Sequence, residues 1–503
     1  MILDVAQRRA DLTPERPAVW WDERWLDYAE LNRRASRAAA VLASRGIAKG
    51  DRVAILAHND IAHIDLILAT AKLGFVYTPL NVRLSVKEQG DIGAYLDPAL
   101  VLCDEDHREA AEAAAHAAAA PLLSLDDYEA ALASPVAASP VPDPDLGPED
   151  VQMILLTGGT TGVPKGAMLP YRQGFYNAVN TVLSWGLRDD DVVIQATPCY
   201  HAAVNALTVP LLHLGARVVL QRTFDAGAYL ELVQRQGVTA LFLVPTMYRM
   251  LAEHPDFEHA DLSGVRWAIS GGAPCPEPIR ATFAARGVRF RQGYGLTEAG
   301  VNCFAITLDQ AELRPGSVGK PMLHAEAAVR RADGSLCDAG EVGELTLKGQ
   351  HVFLGYFERP DATAEALRSG WLWTGDLATV DDEGFFSIVG RRKEMFISGG
   401  ENVFPVEIEA ALYDHPAVAE CAVLGVPDDR WGEVGLAVVV PRQGAIIDPD
   451  ALAAFLRARV ARYKVPKHMV FVAELPKSGA GKILKPELLR RFLAQDLVKG
   501  SEP

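Results

Sequence analysis

Short apolar runs alternate with helical patterns along the first half of the chain, and this alternation constrains the fold more than any other feature. RVAILAHN, which begins at Arg52, is followed by the helical stretch IAHIDLILATAKLGFVYTPL. Similar apolar runs recur at 192–198, 216–221, 239–245 and 265–272. Strands that alternate with helices form mostly parallel sheets with helices on both faces. The sequence therefore predicts an α/β fold with a large N-terminal domain of parallel-rich sheets covered by helices.

The pattern changes after Gly390. EIEAALYDH predicts a short helix, VAECAVLGV and GLAVVV predict strands, and DPDALAAFLRARVARY predicts an amphipathic helix. The chain has 503 residues, which is too many for one ordinary core. We therefore expect an N-terminal domain over residues 1–390 and a small α+β domain over residues 391–503, which is within the usual size of a domain.

Composition excludes several classes of protein. The chain carries 49 basic and 65 acidic residues, a net charge of −16, so nucleic-acid binding is not expected and an anionic substrate needs a local positive site. None of the six cysteines forms a CxxC pair, which argues against a disulfide framework or a structural zinc site and fits a reducing cytosol. Neither a signal peptide nor a membrane-spanning run is visible, so a cytoplasmic protein without a transmembrane segment is expected.

The stretch LLTGGTTGVPKGAML, residues 155–169, follows the apolar run 151–156, which predicts a buried strand. Glycines let backbone N–H groups approach an anion, because no Cβ atom blocks the way. The stretch is not a Walker A loop, because Pro164 precedes Lys165 and Gly166 follows it. The sequence predicts a phosphate-binding loop of another kind.

Six further motifs follow this loop along the chain: SGGAP (270–274), GYGLTE (293–298), WTGDLA (373–378), GRRKE (390–394), ISGGENVFPVEIE (397–409) and PKSGAGKILK (476–485). In this order, over about residues 20–490, the seven motifs resemble those of the acyl-adenylate-forming superfamily. Its members include acyl-CoA synthetases, amino-acid adenylation domains and beetle luciferases. The resemblance implies an N-terminal domain that binds ATP and the acid, and a mobile C-terminal lid. It also implies two steps: a carboxylate attacks the α-phosphate of Mg-ATP and releases pyrophosphate, and a thiol then displaces AMP.

The resemblance implies a role for each motif residue. Glu298 and Thr157 are expected to contact Mg²⁺, Thr297 the α-phosphate, and Tyr294 the adenine ring. Asp376 is expected to accept hydrogen bonds from the ribose hydroxyls, because a carboxylate offers only acceptors. The full nucleotide set is Thr157, Gly158, Gly159, Thr160, Thr161, Gly162, Lys165, Gly272, Ala273, Pro274, Gly293, Tyr294, Gly295, Asp376 and Arg391. The sequence departs from the commoner pattern at Gly158, where many members carry Ser or Thr.

The remaining expected site residues lie at the boundary between the two domains, in the small domain and near the acyl pocket. Lys482 is expected to bridge the substrate carboxylate and the α-phosphate, since a flexible ammonium neutralises both. Lys393 is expected to be the hinge, while Ser398, Gly399 and Gly400 line a tunnel for CoA. His201 is expected to orient the carboxylate or gate the thiol, although a packed core histidine is the competing interpretation.

The acyl pocket is expected among residues 200–208, 244–251, 271, 293 and 301–303, which are mostly small or apolar. Ala202, Ala203, Val204 and Asn205 stand where amino-acid adenylation domains usually hold an Asp. The missing Asp argues against an amino acid as the substrate. We therefore expect a CoA ligase that acts on a medium- or long-chain fatty acid, with an aryl acid (feruloyl, coumaroyl or benzoyl type) as the alternative.

There are three other interpretations: a standalone enzyme that loads a carrier protein, a luciferase-like oxygenase, and a non-catalytic nucleotide-binding protein. A non-catalytic protein would be expected to have degraded motifs, whereas this sequence retains all four key residues, Glu298, Asp376, Arg391 and Lys482. A homodimer is considered as the assembly, without a residue that decides it.

Lys482→Ala should abolish formation of the acyl-adenylate while leaving thioester formation from a supplied acyl-adenylate largely intact, because the ammonium acts only in the first step. Pyrophosphate release and thioester formation are measured separately. An equal loss in both half-reactions would contradict the role of Lys482.

Overall fold

A computed structural model describes residues 4–134, 145–158, 164–477 and 483–494. The helices of the described chain are α1 (Val5–Leu12), α2 (Tyr28–Ser44), α3 (Ile61–Leu73), α4 (Val86–Leu96), α5 (Arg108–Ala117), α6 (Leu125–Ala133), α7 (Tyr171–Trp185), α8 (Thr208–Leu214), α9 (Ala226–Arg235), α10 (Pro245–Ala252), α11 (Glu277–Ala285), α12 (Leu308–Leu313), α13 (Pro360–Ala366), α14 (Pro405–Tyr413), α15 (Pro449–Arg457) and α16 (Lys485–Ala494).

The strands of the described chain are β1 (Pro17–Trp21), β2 (Arg24–Asp27), β3 (Arg52–Leu56), β4 (Val76–Pro79), β5 (Leu100–Cys103), β6 (Leu122–Ser124), β7 (Val151–Thr157), β8 (Lys165–Pro170), β9 (Val192–Gln195), β10 (Arg217–Leu220), β11 (Ala240–Leu243), β12 (Trp267–Ser270), β13 (Phe290–Gln292), β14 (Phe304–Ala305), β15 (Ser317–Pro321), β16 (Glu326–Arg330), β17 (Gly343–Lys348), β18 (Gly355–Tyr356), β19 (Leu367–Arg368), β20 (Trp371–Val380), β21 (Phe386–Arg391), β22 (Phe396–Ser398), β23 (Glu401–Val403), β24 (Val418–Asp428), β25 (Gly432–Pro441) and β26 (His468–Phe471).

The first predicted strand–helix–strand unit is β3–α3–β4, in which the two strands pair in parallel. Asp60 begins α3 by accepting a hydrogen bond from the N–H of Ala62 at 2.9 Å, and Gly74 ends it in the left-handed conformation. Nearly every residue of α3 is buried. This burial explains why the helix is mostly apolar and has no exposed polar face.

Parallel-rich sheets form most of the N-terminal region, as predicted. One has the order β18-β8-β7-β4-β3-β5-β6, with antiparallel pairs only where β8 joins β7 and β18. A second has the order β2-β1-β10-β9, and a third, wholly parallel, has the order β11-β12-β13. The carboxyl ends of parallel strands are where open α/β sheets usually bind ligands.

A seven-stranded antiparallel sheet over residues 304–391 was not anticipated from the sequence. Its order is β14-β15-β21-β20-β17-β16, with β19 paired to β20. Two of its strands, β14 and β19, have only two residues, and bulges interrupt the registers of β15, β17 and β20. Such short and irregular strands carry no clear two-residue period, so the pattern of the sequence does not indicate them.

The small C-terminal domain is built on a five-stranded sheet of order β23-β22-β25-β24, with β26 beside β25. The predicted helices correspond to α14 and α15, and the predicted strands to β24 and β25. Its two apolar clusters contain only residues between Phe396 and Phe492. The clusters of the large domain end at Ile388. The protein therefore has a large N-terminal domain and a small C-terminal domain with separate cores.

Asn59 joins two sheets of the large domain. It follows β3, is 4% exposed, and its Nδ2 donates to the carbonyls of Gln195, Thr197 and Gln221 at 3.4, 3.1 and 3.0 Å. Its Oδ1 accepts a hydrogen bond from the N–H of Cys199 at 2.7 Å. One amide therefore holds the ends of β9 and β10 beside the end of β3, and fixes the segment that leads to His201.

Asn59→Ala should lower the free energy of unfolding of the large domain by about 2–3 kcal/mol, because it leaves buried backbone groups without partners. Urea denaturation checks this, with Gln234→Ala, an exposed amide on α9, as the control. A loss no larger than that of the control would contradict the role of Asn59.

Candidate active site

The ends of the glycine-rich loop are held by a strand pair. Thr157 is the last residue of β7 and pairs with Lys165, the first residue of β8. The Thr157 hydroxyl donates to the Lys165 carbonyl at 3.3 Å. Gly158 is described and exposed, whereas Gly159, Thr160, Thr161 and Gly162 lie outside the described residues. The described part of the loop thus places Thr157 and Lys165 side by side.

Lys165 and Glu298 approach one another through Tyr356, which no motif had indicated. The Tyr356 hydroxyl donates to Oε1 of Glu298 at 2.8 Å, and Nζ of Lys165 lies 4.9 Å from the centre of the Tyr356 ring. Burial, and then the charge of Glu298, raise the pKa of Tyr356 well above its usual range. The hydroxyl therefore keeps its proton at neutral pH and acts as a donor to the carboxylate.

The turn that carries Thr297 and Glu298 has little room to move. It is a 3₁₀ turn over Thr297–Ala299, and Nε2 of Gln173 on α7 donates to the Thr297 carbonyl at 3.0 Å. A Cβ atom on Gly295 would lie 1.8 Å from the carbonyl oxygen of Val301, so only glycine fits there. Glu298 itself is only 9% exposed. The carboxylate is therefore presented from a rigid, closely packed turn.

Tyr294, Asp376 and Arg391 form a chain of polar contacts between two sheets. The Tyr294 hydroxyl donates to Oδ2 of Asp376 at 2.6 Å, and Nε of Arg391 lies 3.2 Å from Oδ1 of the same carboxylate. Asp376 and Arg391 face each other in the β20–β21 register. Burial, and then Asp376, raise the pKa of Tyr294 well above its usual range. Tyr294 therefore remains a neutral donor, and Asp376 remains an acceptor for further donors.

The residues predicted to flank the adenine follow neighbouring parallel strands. Ser270 ends β12 and pairs with Gln292, which ends β13. The segments 271–274 and 293–295 therefore leave the sheet at the same edge. The Ser270 hydroxyl donates to the Ala273 carbonyl at 3.2 Å, and Gly272 has a φ of +77°. The backbone of Gly272, Ala273 and Pro274 is thus shaped as a turn beside Tyr294.

His201 begins a 3₁₀ turn over Ala202–Asn205, and its ring lies 4.6 Å from that of Tyr200. Buried amides hold the following segment against α7: Nδ2 of Asn177 donates to the Asn205 carbonyl at 2.7 Å, and Nδ2 of Asn302 to the Ala206 carbonyl at 2.8 Å. His201 is therefore placed by a fixed backbone.

Phe242 is a candidate pocket residue that the sequence did not reveal. It lies on β11, one strand away from Gly271, and a Cβ atom on Gly271 would lie 2.7 Å from the Phe242 ring. A Cβ atom on Gly293 would lie 3.0 Å from Ile269. Gly271 therefore lets the Phe242 ring pack directly against the backbone at the end of β12. An aromatic within the apolar run 239–245 could equally belong to a core, so the sequence alone gave no signal.

The predicted CoA residues form a tight hairpin between β22 and β23. Gly399 and Gly400 both have positive φ, +61° and +89°, as a type I′ turn requires. The N–H of Gly399 donates to the Trp431 carbonyl at 2.9 Å, and a Cβ atom on Gly399 would lie 2.7 Å from the Trp431 ring. Trp431 is 40% exposed, and Arg430 and Lys467 lie 5.0 and 5.2 Å from its ring. The loop thus adjoins an exposed aromatic ring that has two cations near it, which the motifs had not indicated.

Two lysines near Lys482 are engaged in ion pairs. Lys477 lies 2.7 Å from Glu420, and Lys485 lies 2.9 Å from Glu394 and 2.8 Å from Glu409. Burial lowers the pKa of Lys485, but the two carboxylates outweigh it and raise the pKa above its usual value. Lys482 lies outside the described residues.

Contacts between the domains lie on either side of the predicted hinge. Arg249 on α10 pairs with Glu420 of the small domain and donates to the Ala419 carbonyl at 3.2 Å. Lys393 lies in the turn between β21 and β22, next to Arg392, whose N–H donates to the Gly375 carbonyl at 2.9 Å. The small domain is thus held against α10 in this arrangement.

Comparison with known families decides the class of protein. The AMP-binding enzyme family matches residues 6–357, and the AMP-binding enzyme C-terminal domain matches residues 407–482. The chain belongs to the AMP-binding enzyme family. This confirms the resemblance that the seven motifs indicated, and the chain is therefore an acid–thiol ligase that works through an acyl-adenylate.

Similar proteins cover nearly the whole chain. A feruloyl-CoA synthase from Amycolatopsis sp is 43% identical over 490 residues, covering 96% of this chain and 98% of the relative. An indoleacetate–CoA ligase from Aromatoleum aromaticum is 36% identical, with 97% of each chain covered. A structure of o-succinylbenzoate–CoA synthetase from Bacillus subtilis with ATP and magnesium ion has a TM-score of 0.87 at 30% identity, covering 97% of this chain and 99% of that chain.

These relatives bear on two of the sequence-based expectations. Feruloyl, indoleacetate and succinylbenzoate are aryl acids, so the comparisons favour the aryl-acid alternative over the fatty acid that we expected first. Among the described helices, none combines the length and apolar character that crossing a membrane requires.

Proposed function

We propose that this enzyme joins an aryl carboxylic acid of the feruloyl type to CoA, with ATP as the energy source. The observation that carries the proposal is the convergence of Tyr294, Asp376 and Arg391 at one edge of the sheets, with the Phe242 ring packed against Gly271 at the end of β12. This arrangement offers polar groups for a nucleotide and an aromatic side chain on a neighbouring strand. The aryl-acid relatives support the choice of acid.

In the first step, an oxygen of the acid attacks the α-phosphorus of ATP, and the bond to the pyrophosphate oxygen breaks. Asp376 accepts hydrogen bonds from the ribose hydroxyls, since about two of its four lone-pair positions remain beyond those used by Tyr294 and Arg391. Thr297 contacts the α-phosphate, and Lys165 neutralises the departing pyrophosphate. The product is an aryl-adenylate.

Mg²⁺ fits the donors on this side of the site. Glu298 is a buried carboxylate, and Thr157 offers a hydroxyl oxygen at the end of the neighbouring strand pair. Mg²⁺ prefers such hard oxygen ligands and usually takes one or two carboxylates together with substrate phosphates. When bound, the ion neutralises charge on the phosphates.

Lys482 is proposed as the ammonium that bridges the acid and the α-phosphate. Its two neighbours are unsuited, because Lys477 is paired with Glu420 and Lys485 with Glu394 and Glu409. Releasing Lys485 would leave two carboxylates partly buried without a cation, which is costly. This supports the assignment that the sequence motif first indicated.

The identity of the acid is tested by measuring CoA-dependent release of AMP with each of five acids: ferulate, coumarate, benzoate, octanoate and palmitate. We expect kcat/KM for ferulate or coumarate to exceed that for either fatty acid by at least about tenfold, because an aromatic side chain such as Phe242 favours a planar acid. Lys482→Ala serves as the control without turnover.

A maximum on octanoate or palmitate would contradict the proposed acid. If pyrophosphate is released but CoA causes no release of AMP, CoA is contradicted as the acceptor. That result would indicate a carrier protein instead.

Trp431 is proposed as the platform for the adenine ring of CoA, with Arg430 and Lys467 near its phosphates. The ring is exposed and adjoins the hairpin of Gly399 and Gly400, which we propose lies along the CoA tunnel. Because the protein as a whole carries a charge of −16, an anion such as CoA needs local cations like these two. Ser398 is buried at the start of the same hairpin.

Trp431→Ala should raise KM for CoA by about 5- to 100-fold, the range expected from loss of one base–aromatic stack. Formation of the aryl-adenylate without CoA should stay unchanged. Phe175→Ala is the matched control, since Phe175 is also 40% exposed but lies on α7. An unchanged KM for CoA, or an equal loss in adenylate formation, would contradict the platform.

The domain boundary is proposed at residues 390 and 391, with Lys393 as the hinge. The separation of the apolar clusters between Ile388 and Phe396 supports it, because few packed side chains then resist a rotation there. The six unpaired cysteines support a cytoplasmic location. A homodimer remains a proposal that no described contact supports.

A further inference from the structure

We propose that Tyr356 is a positioning residue for the metal-binding carboxylate, and that its ring couples this carboxylate to Lys165. The inference rests on the proposed function, since it takes Glu298 as the metal ligand. It adds a residue that lies in none of the seven motifs. The two halves of Tyr356, hydroxyl and ring, have separate tasks, and this separation makes the proposal testable.

The backbone of Tyr356 is fixed on all sides. As part of β18 it pairs with Ala167 of β8. The N–H groups on either side donate to the same strand: that of Leu354 to the Met168 carbonyl at 3.0 Å and that of Phe357 to the Gly166 carbonyl at 2.8 Å. The N–H of Tyr356 itself donates to the Thr363 hydroxyl at 2.8 Å. The ring therefore projects from a rigid edge strand. This strand pairs with β8, which begins with Lys165.

Glu298 is fixed from the same segment of chain. Its carbonyl accepts a hydrogen bond from the N–H of Phe353 at 2.8 Å, and its Oε1 accepts one from Tyr356. The residues around β18 thus hold both the backbone and the side chain of Glu298. A carboxylate has about four lone-pair positions, so the hydroxyl occupies one and leaves the others for a metal ion. The hydroxyl removes rotational freedom from the carboxylate without neutralising it.

Contacts that orient a metal ligand in this way commonly change metal affinity by about 10- to 100-fold when they are removed. The ring acts differently. An ammonium 4.9 Å from the ring centre is within range of a cation–π contact, which contributes about 2- to 5-fold in affinity at an accessible site. The hydroxyl is therefore assigned to metal affinity, and the ring to the placement of Lys165 at the phosphates.

Tyr356→Phe and Tyr356→Leu separate the two tasks. Binding of Mn²⁺ is followed by electron paramagnetic resonance with a non-hydrolysable ATP analogue, and KM for ATP is measured at saturating Mg²⁺. We expect Tyr356→Phe to weaken Mn²⁺ binding about tenfold while KM for ATP stays within about twofold. Tyr356→Leu should weaken Mn²⁺ binding to the same extent and also raise KM for ATP about 2- to 5-fold.

Tyr171→Phe is the matched control, because the Tyr171 hydroxyl also donates at 2.8 Å, but to the backbone carbonyl of Thr70. It should leave both constants unchanged, so a loss of Mn²⁺ affinity equal to that of Tyr356→Phe would show a merely structural effect and overturn the proposal. Thermal unfolding of each variant is measured alongside.

Glu298→Gln distinguishes failure of the inference from failure of the proposed function. Loss of Mn²⁺ binding in Glu298→Gln together with full binding in Tyr356→Phe would overturn the role of Tyr356 alone. Full Mn²⁺ binding in Glu298→Gln would overturn Glu298 as the metal ligand, and the inference with it. Equal rises of KM for ATP in Tyr356→Phe and Tyr356→Leu would overturn the separate role of the ring.

Discussion

The hydrogen bond from Tyr294 to Asp376, 2.6 Å long, joins the parallel part of the large domain to its antiparallel sheet. Tyr294 follows β13 at the carboxyl end of a parallel strand, whereas Asp376 lies within β20. The two residues are 82 positions apart in the chain, so the pair forms only when the two sheets are docked. The proposed nucleotide site spans this junction, and its geometry therefore depends on the packing of both sheets.

Buried carboxylates at the domain junction are held by cations near the chain's predicted hinge. Asp376 pairs with Arg391, and Glu344, only 7% exposed, pairs with Arg392 at 3.1 Å. Both arginines are about half exposed, so they can exchange partners at modest cost, whereas the carboxylates cannot be left without one. This asymmetry suits a junction at which ATP is proposed to bind and the small domain is proposed to rotate.

The sequence predicted the elements and motifs that depend on local pattern. It identified the β3–α3–β4 unit, the strand before the glycine-rich loop and most of the small domain, because apolar periodicity marks them. The structure also brings the motif residues Tyr294 and Asp376 together. The sequence did not indicate Tyr356, Phe242 or Trp431, because their contacts arise from strand register and from turns that bring distant segments together. The acid could not be chosen from an apolar pocket composition, which suits fatty and aryl acids alike.

The most direct test of the account is a single-turnover experiment with enzyme in excess over labelled ATP, with ferulate and without CoA. The account predicts that the label appears as an enzyme-bound aryl-adenylate, and that CoA added afterwards converts it to AMP and the thioester. If no adenylate accumulates and AMP forms only when CoA is present from the start, the two-step use of this site is contradicted.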